Sequence, residues 1–295
     1  IFLAVLGLLL VEREKSVALA VGCFVLSLCT RQTLVAAPLS AFLFLYYREE
    51  RRKAVGLLFS TAIVSALLYV FFHFFSGGGF SRHVFLFNVN EYRLMDVFIY
   101  FRHWWATYPV LGGIGVFLFL YRWRMKRRDL IVYYLLLSAL LSLLCGKIGS
   151  APNYLLEMVV ATSLAVGLVL AEAEVAERDD RSLLELLLPV LLLAQILATL
   201  HWPHSRLDFS YTPTRADLYQ AQNVERIVSQ SPGPVLAERP GLPLIAGHEP
   251  VFQPFICTQL ARQGLWDETP LLNRIRAREF PLDRKSTRLN SSHYS

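Results

Sequence analysis

The sequence predicts a polytopic α-helical membrane domain followed by a small outward-facing α/β domain. Hydrophobic side chains make up 55% of the 295 residues and mean hydropathy is +0.43, which is too apolar for a soluble chain of this length. The apolar residues come in seven to eight runs separated by charged connections. Beyond residue 200 the composition becomes more polar and helix-like and strand-like stretches alternate.

The apolar runs fall at 1–11, 17–29, 34–47, 54–75, 108–121, 130–146, 154–171 and 182–200. Those at 54–75 and 182–200 have the length to cross a bilayer, which takes about 20 residues; the shorter ones must tilt, extend or be shielded by neighbours. If every run crosses, the connections "EREK", "REERRK", "RWRMKRR" and "AERDDR" lie on one side with thirteen basic residues, against five in the others. The basic side is the cytoplasmic one. "TRQT", the 76–107 connection, "GKIGSAPNY" and the region after His201 then face outward. Within 76–107, "SGGG" reads as a turn, and "NVNEYRLMDVFIYFRHWW" as a helix lying in the membrane interface.

The expected division is 1–200 as the transmembrane domain and 201–282 as the α/β domain. In the latter, "TRADLYQAQNVERIVSQ" is a helix with Thr214 as N-cap, "GPVLAE" and "EPVFQP" are strands, and a second helix begins at Asp267. Residues 283–295 are set apart, because "DRKSTRLNSSH" is the translation of a DNA string resembling a short-read sequencing adaptor. That tail accounts for +2 of the formal net charge of +6. The first run is already apolar at Ile1, so further sequence is expected upstream.

Cys23, Cys29, Cys145 and Cys257 have no metal-ligand spacing. The informative polar residues sit at the seams between apolar runs, where an ionised group belongs to an interface, an interior or a cavity. "CGKIGSAPNYLLEM" places Lys147 at the outer end of one run and Asn153, Tyr154 and Glu157 at the start of the next. Lys147 can pair with Glu157 as a clamp, or bind a lipid-carrier phosphate while Asn153 and Tyr154 contact a sugar. Arg31 and Gln32 occupy a similar seam in "CTRQTLVAAP", and Arg31 either snorkels to headgroups or shares an anion site with Lys147. Asn88, Asn90, Glu91, Arg93 and Asp96 suit a solvated helix face better than a site. Glu185 and Gln195, inside an apolar run, suit interhelical hydrogen bonding.

"TRQT" followed by "LVAAPLSAFLFL", the long aromatic loop, "GKIGSAPNYLLE", and the terminal "GPVLAERPGLPLIAGHEPVFQPF" and "QLARQGLWDETPLLNRIRAREF" together resemble the later part of a bacterial GT-C integral-membrane glycosyltransferase. This family includes the protein O-mannosyltransferases and the lipid A aminoarabinose transferases. The resemblance implies a sugar donor linked to polyprenyl phosphate, transfer to a lipid, glycan or protein acceptor on the extracytoplasmic face of the bacterial inner membrane, and no nucleic-acid partner. It implies no cofactor, with a divalent cation the one candidate and no metal ligands assigned. Arg31 and Lys147 become donor-phosphate contacts, and Gln32, Asn153, Tyr154 and Glu157 line the cavity. The catalytic acid is expected upstream of Ile1. Where the family commonly has lysine this chain has Arg31, which keeps the charge but changes its geometry. A non-catalytic membrane-anchored binding or assembly protein fits the same topology, and a transporter is a third reading.

Overall fold

The computed structural model describes residues 1–150, 152–175, 183–201 and 213–284. Helices dominate, holding 75% of the described residues. The chain divides into two compact units, Ile1–Asp208 and Phe209–Ser295.

In the first unit, α1 (Phe2–Glu12), α2 (Val17–Thr30) and α3 (Ala36–Tyr47) are short apolar helices, with α1 packing on both α2 and α3. The Ser16 side chain accepts from the Leu19 backbone N–H and so fixes the start of α2. The long α4 (Arg51–Phe75) ends at Ser76, where Gly77 and Gly78 adopt positive φ of 56° and 83°. This is the turn read from "SGGG". Then follow α5 (Gly79–Val84), a 3₁₀ turn at Leu86–Asn88, α6 (Leu94–Thr107) and α7 (Pro109–Arg124). Helix α6 turns from α7 by 102° at Tyr108, with Pro109 opening the new helix. Helix α8 (Leu130–Ser142) runs into a 3₁₀ turn at Leu143–Gly146. A second 3₁₀ turn, Pro152–Leu155, leads into α9 (Leu156–Val175), and α10 (Leu183–His201) follows.

A core of Leu8, Phe24, Phe44, Leu57, Leu118, Tyr134 and Ala161 joins α1–α4 to α7–α9. Close approach there depends on small residues: a Cβ on Gly7 would sit 2.5 Å from the ring of buried Phe24.

Seven to eight crossings are not what the structure contains. Among the described residues two helical stretches are long and apolar enough to cross a membrane, Arg51–Phe75 and Asn153–Glu172, or three if bent α6–α7 counts as one. At 1.5 Å per residue, helices of 11–14 residues such as α1, α2 and α3 reach only about 16–21 Å against a hydrocarbon core of about 30 Å. Their apolar sides meet each other. The charge count that assumed strict alternation of loops loses that premise. Helix α4, by contrast, has only 11% of its apolar window buried, with Phe59, Leu67, Phe71 and Phe74 more than half exposed. An apolar face of that length suits lipid.

The second unit contains α11 (Arg215–Ser229), β1 (Val235–Ala237), α12 (Gly241–Ile245), α13 (Pro254–Arg262), α14 (Thr269–Arg276) and β2 (Leu282–Arg284). Thr214 opens α11 through a full capping box: its hydroxyl accepts from Asp217 N–H, and the Asp217 carboxylate accepts from Thr214 N–H. Strands β1 and β2 pair in parallel, Val235 with Leu282 and Ala237 with Arg284, over a small core of Val228, Val235 and Ala237. "GPVLAE" is thus a strand, whereas "EPVFQP" is not: it is irregular and ends in α13, with Pro254 at the first helical turn and the Gln253 side chain accepting from Ile256 N–H. Among the described residues the unit holds one pair of three-residue strands, which falls short of showing the expected α/β layer. Strand β2 crosses the 282/283 boundary, and 285–295 lie outside the described residues, as do the "AERDDR" connection, the end of "HWPH" and the Glu185 side chain.

Candidate functional site: a polar junction between α2–α3 and the start of α9

The chain leaves α2 at Thr30, runs extended through Arg31 (φ −159°, ψ 115°), turns at 32–35 and re-enters a helix at Ala36. This break leaves the first N–H groups of α3 without intrahelical partners. Glu157 supplies one: its Oε1 accepts from the Ala37 N–H at 3.2 Å, and the side chain is buried. A carboxylate at a helix N-terminus is also favoured by the helix dipole. Glu157 thus works as a cap delivered from another helix.

Arg31 joins the same two elements from the other side. Its Nη1 donates to the Asn153 carbonyl at 2.8 Å, Nη2 to Asn153 Oδ1 at 3.2 Å, and Nε to Thr33 Oγ1 at 2.8 Å. The guanidinium carbon lies 4.6 Å from the centre of the Tyr154 ring. All of these partners are neutral. A recess lined by Arg31, Asn153, Tyr154 and Glu157, with Ser138 of α8 at its wall, has a free interior of about 10 Å³. That is room for about one water.

Four of the six residues singled out in the sequence therefore meet, across a separation of more than 120 positions. Gln32 and Lys147 do not line the recess: Gln32 is exposed in the turn, and Lys147 belongs to a neighbouring structure. The Lys147–Glu157 clamp left open above is not formed, since each side chain has another partner.

Lys147 opens a tight turn closed by Ser150 N–H donating to Lys147 O at 2.8 Å, with Gly149 at φ +81° as a type II turn requires. The outer loop is laced to this turn. Arg93 N–H donates to Gly146 O at 2.7 Å, Ile148 N–H to Glu91 O at 2.8 Å, Asn90 Nδ2 to Ile148 O at 3.0 Å, and Tyr92 OH to Leu143 O at 3.0 Å. Lys147 Nζ donates to Asn88 Oδ1 at 2.8 Å, and burial lowers its pKa below that of a free lysine. The loop residues read as a solvated face thus include four, Asn88, Asn90, Glu91 and Arg93, that bind this turn and its approach; hydrogen bonds across 58 positions leave no local trace in sequence.

Gly146 makes the lacing possible, because a Cβ there would lie 2.6 Å from Val97 Cγ2 and 2.8 Å from the Tyr92 ring. Gly146→Ala is expected to destabilise the fold by about 1–3 kcal/mol, the usual cost of forcing a methyl into a packed site. A denaturation midpoint equal to wild type would show that the loop yields without cost.

Sequence reasoning missed the other polar cluster. Arg122, counted as a loop cation, is buried in the last turn of α7 and pairs with Asp129, which precedes α8, and with Glu172 of α9. The available signal was an acid immediately before the α8 apolar run and another within "AEAE". Gln195, as expected, bonds between helices: its Oε1 accepts from Val110 N–H at 2.7 Å and Leu111 N–H at 3.2 Å. Among the described residues no three His, Cys, Asp or Glu side chains gather as a metal site. No family model, curated protein or solved structure matches the chain.

Proposed function

We propose that this chain is part of a GT-C type membrane glycosyltransferase of the bacterial inner membrane, with the second unit on the extracytoplasmic side. It would move a sugar from a polyprenyl-phosphate donor to a lipid, glycan or protein acceptor. One observation carries the reading: Arg31 and Lys147 stand at the ends of apolar segments and hold only neutral hydrogen-bond partners. The Lys147 charge remains available to an anion, the Arg31 guanidinium acts also on the Glu157 carboxylate of the same recess, and guanidinium and ammonium groups at a partly desolvated interface suit a phosphate.

In this reading an acid outside the described residues takes the proton of the acceptor hydroxyl as its oxygen attacks the anomeric carbon. The bond from that carbon to the lipid phosphate breaks, and the phosphate leaves with the extra charge. Arg31 and Lys147 accelerate the step to the extent that they hold the departing phosphate more tightly than the intact donor. Asn153 and Tyr154 border the sugar, and Glu157 keeps the α3 terminus in place. No cofactor is needed.

The test is transfer from a polyprenyl-phosphate-linked sugar by the complete gene product in membranes. Lys147→Ala is expected to lower turnover about 10²-fold, in the range lost with one charge-stabilising donor, with membrane insertion unchanged. An unchanged rate overturns the assignment. The water-sized interior of the recess favours a second reading, in which the junction only fastens α3 to α9 within a membrane-anchored binding or assembly protein.

A further inference from the structure

The outer loop contains an acid well placed to neutralise Lys147. Tyr92 pairs with Lys147 in an antiparallel bridge, and Glu91 is the next residue along. Yet the Glu91 carboxylate is held by Arg93, with Oε1 to Nε at 3.1 Å and Oε2 to Nη2 at 3.4 Å. No carboxylate oxygen of the described residues lies within 4.0 Å of Lys147 Nζ. What reaches Lys147 is an amide oxygen, that of Asn88 at the end of the Leu86–Asn88 turn.

A neutral acceptor does two things that a carboxylate could not do together. It fixes the direction of a flexible four-carbon side chain through one hydrogen bond. It also leaves the full positive charge uncancelled, whereas an ion pair would satisfy that charge and compete with any incoming anion. The backbone around the amine is already rigid, since the turn and the loop exchange hydrogen bonds on both sides of it. An exposed Asn88 and a part-buried Lys147 together present an aimed cation beside exposed apolar side chains, Val89 and Leu144.

We infer that Asn88 is a positioning and selectivity residue for Lys147, holding its ammonium toward the phosphate of an isoprenoid lipid while leaving its charge free. This rests on the phosphate-binding reading of Lys147 given above. It adds that the choice of amide over acid at position 88 decides whether the anion binds. Burial, which lowers the Lys147 pKa, acts in the same direction as a cost that an anionic ligand relieves.

The experiment measures equilibrium binding of farnesyl phosphate to the 295-residue chain in phosphatidylcholine nanodiscs. Asn88→Asp is expected to weaken binding about tenfold, close to the loss caused by Lys147→Ala, because a fixed carboxylate replaces the ligand as counter-ion. Asn88→Ser, which keeps a neutral oxygen, is expected to stay within about threefold of wild type. Wild-type binding by Asn88→Asp overturns the inference. If Asn88→Asp does not fold, Asn88→Ala decides: it is expected to lose about threefold through the lost alignment, and no loss overturns the inference. Displacement of the probe by millimolar inorganic phosphate or by phosphatidylglycerol overturns the assignment to an isoprenoid carrier. Failure of the enzyme reading is separable, since it appears as intact, Asn88-dependent binding without sugar transfer by the complete protein.

Discussion

Converting Asp129 and Glu172 together to their amides is expected to destabilise the helical unit by about 3–5 kcal/mol, more than replacing Arg122 itself. Arg122 is only 5% exposed, whereas Asp129 and Glu172 are 41% and 52% exposed. In the amide variant the guanidinium keeps neutral oxygens to donate to but stays charged and buried without either counter-charge, which is the expensive way to break a buried pair. Its Nε already has no hydrogen-bond partner, so no reserve is left. With Arg122 replaced by leucine, the two acids remain half in solvent and rehydrate, while the new side chain fills apolar space. The cost then falls to about 1–2 kcal/mol, typical of a partly exposed charged hydrogen bond. Denaturation midpoints in mild detergent, followed by tryptophan fluorescence, give the order directly. If the leucine variant is the less stable, the cluster does not act as a buried-charge clamp.

Arg31→Ala is expected to reduce sugar transfer about 10²–10³-fold in the complete protein, and Arg31→Lys less than tenfold. The pair separates the two jobs Arg31 can do. Stabilising a departing phosphate needs a cation near the right place, which lysine supplies. Fastening Asn153 and Thr33 needs the planar fork, whose three donors reach three acceptors on two sides of the junction, and lysine cannot reproduce that geometry. Equal losses in the lysine and alanine variants, accompanied by equal drops in stability, would assign Arg31 to the joint between α2 and the start of α9 and favour the assembly-protein reading.

What the sequence made legible followed the range of the interactions. Thr214 was readable as a cap because its partner Asp217 is three positions away, and "SGGG" as a turn because only glycine takes positive φ freely there. "EPVFQP" misled because a short β-favouring pair, Val251 and Phe252, between two prolines does not distinguish a strand from the approach to a proline-started helix. The number of crossings was misread for a similar reason. Apolar residues packed against other helices, as in much of α2 and α3, and the exposed apolar face of α4 look alike in sequence, and helix length and burial separate them only in the structure. At the junction, the structure brings together four of the six residues singled out, Arg31, Asn153, Tyr154 and Glu157, and leaves Gln32 and Lys147 apart from them. Nothing local told that Glu157 would cap α3 rather than pair with Lys147, because that depends on a helix 120 positions upstream breaking where it does.

The bend at Tyr108 places a demand on the order in which the protein can be built. Pro109 starts α7 with backbone donors that have no helical turn before them, and the amide of Gln195 takes two of these donors from 85 residues further along. Until that glutamine has been synthesised, the N-terminus of α7 must stay where water or lipid headgroups can serve those N–H groups. The start of α7 is therefore completed only when α10 is in place, so a late helix of the first unit finishes an earlier one.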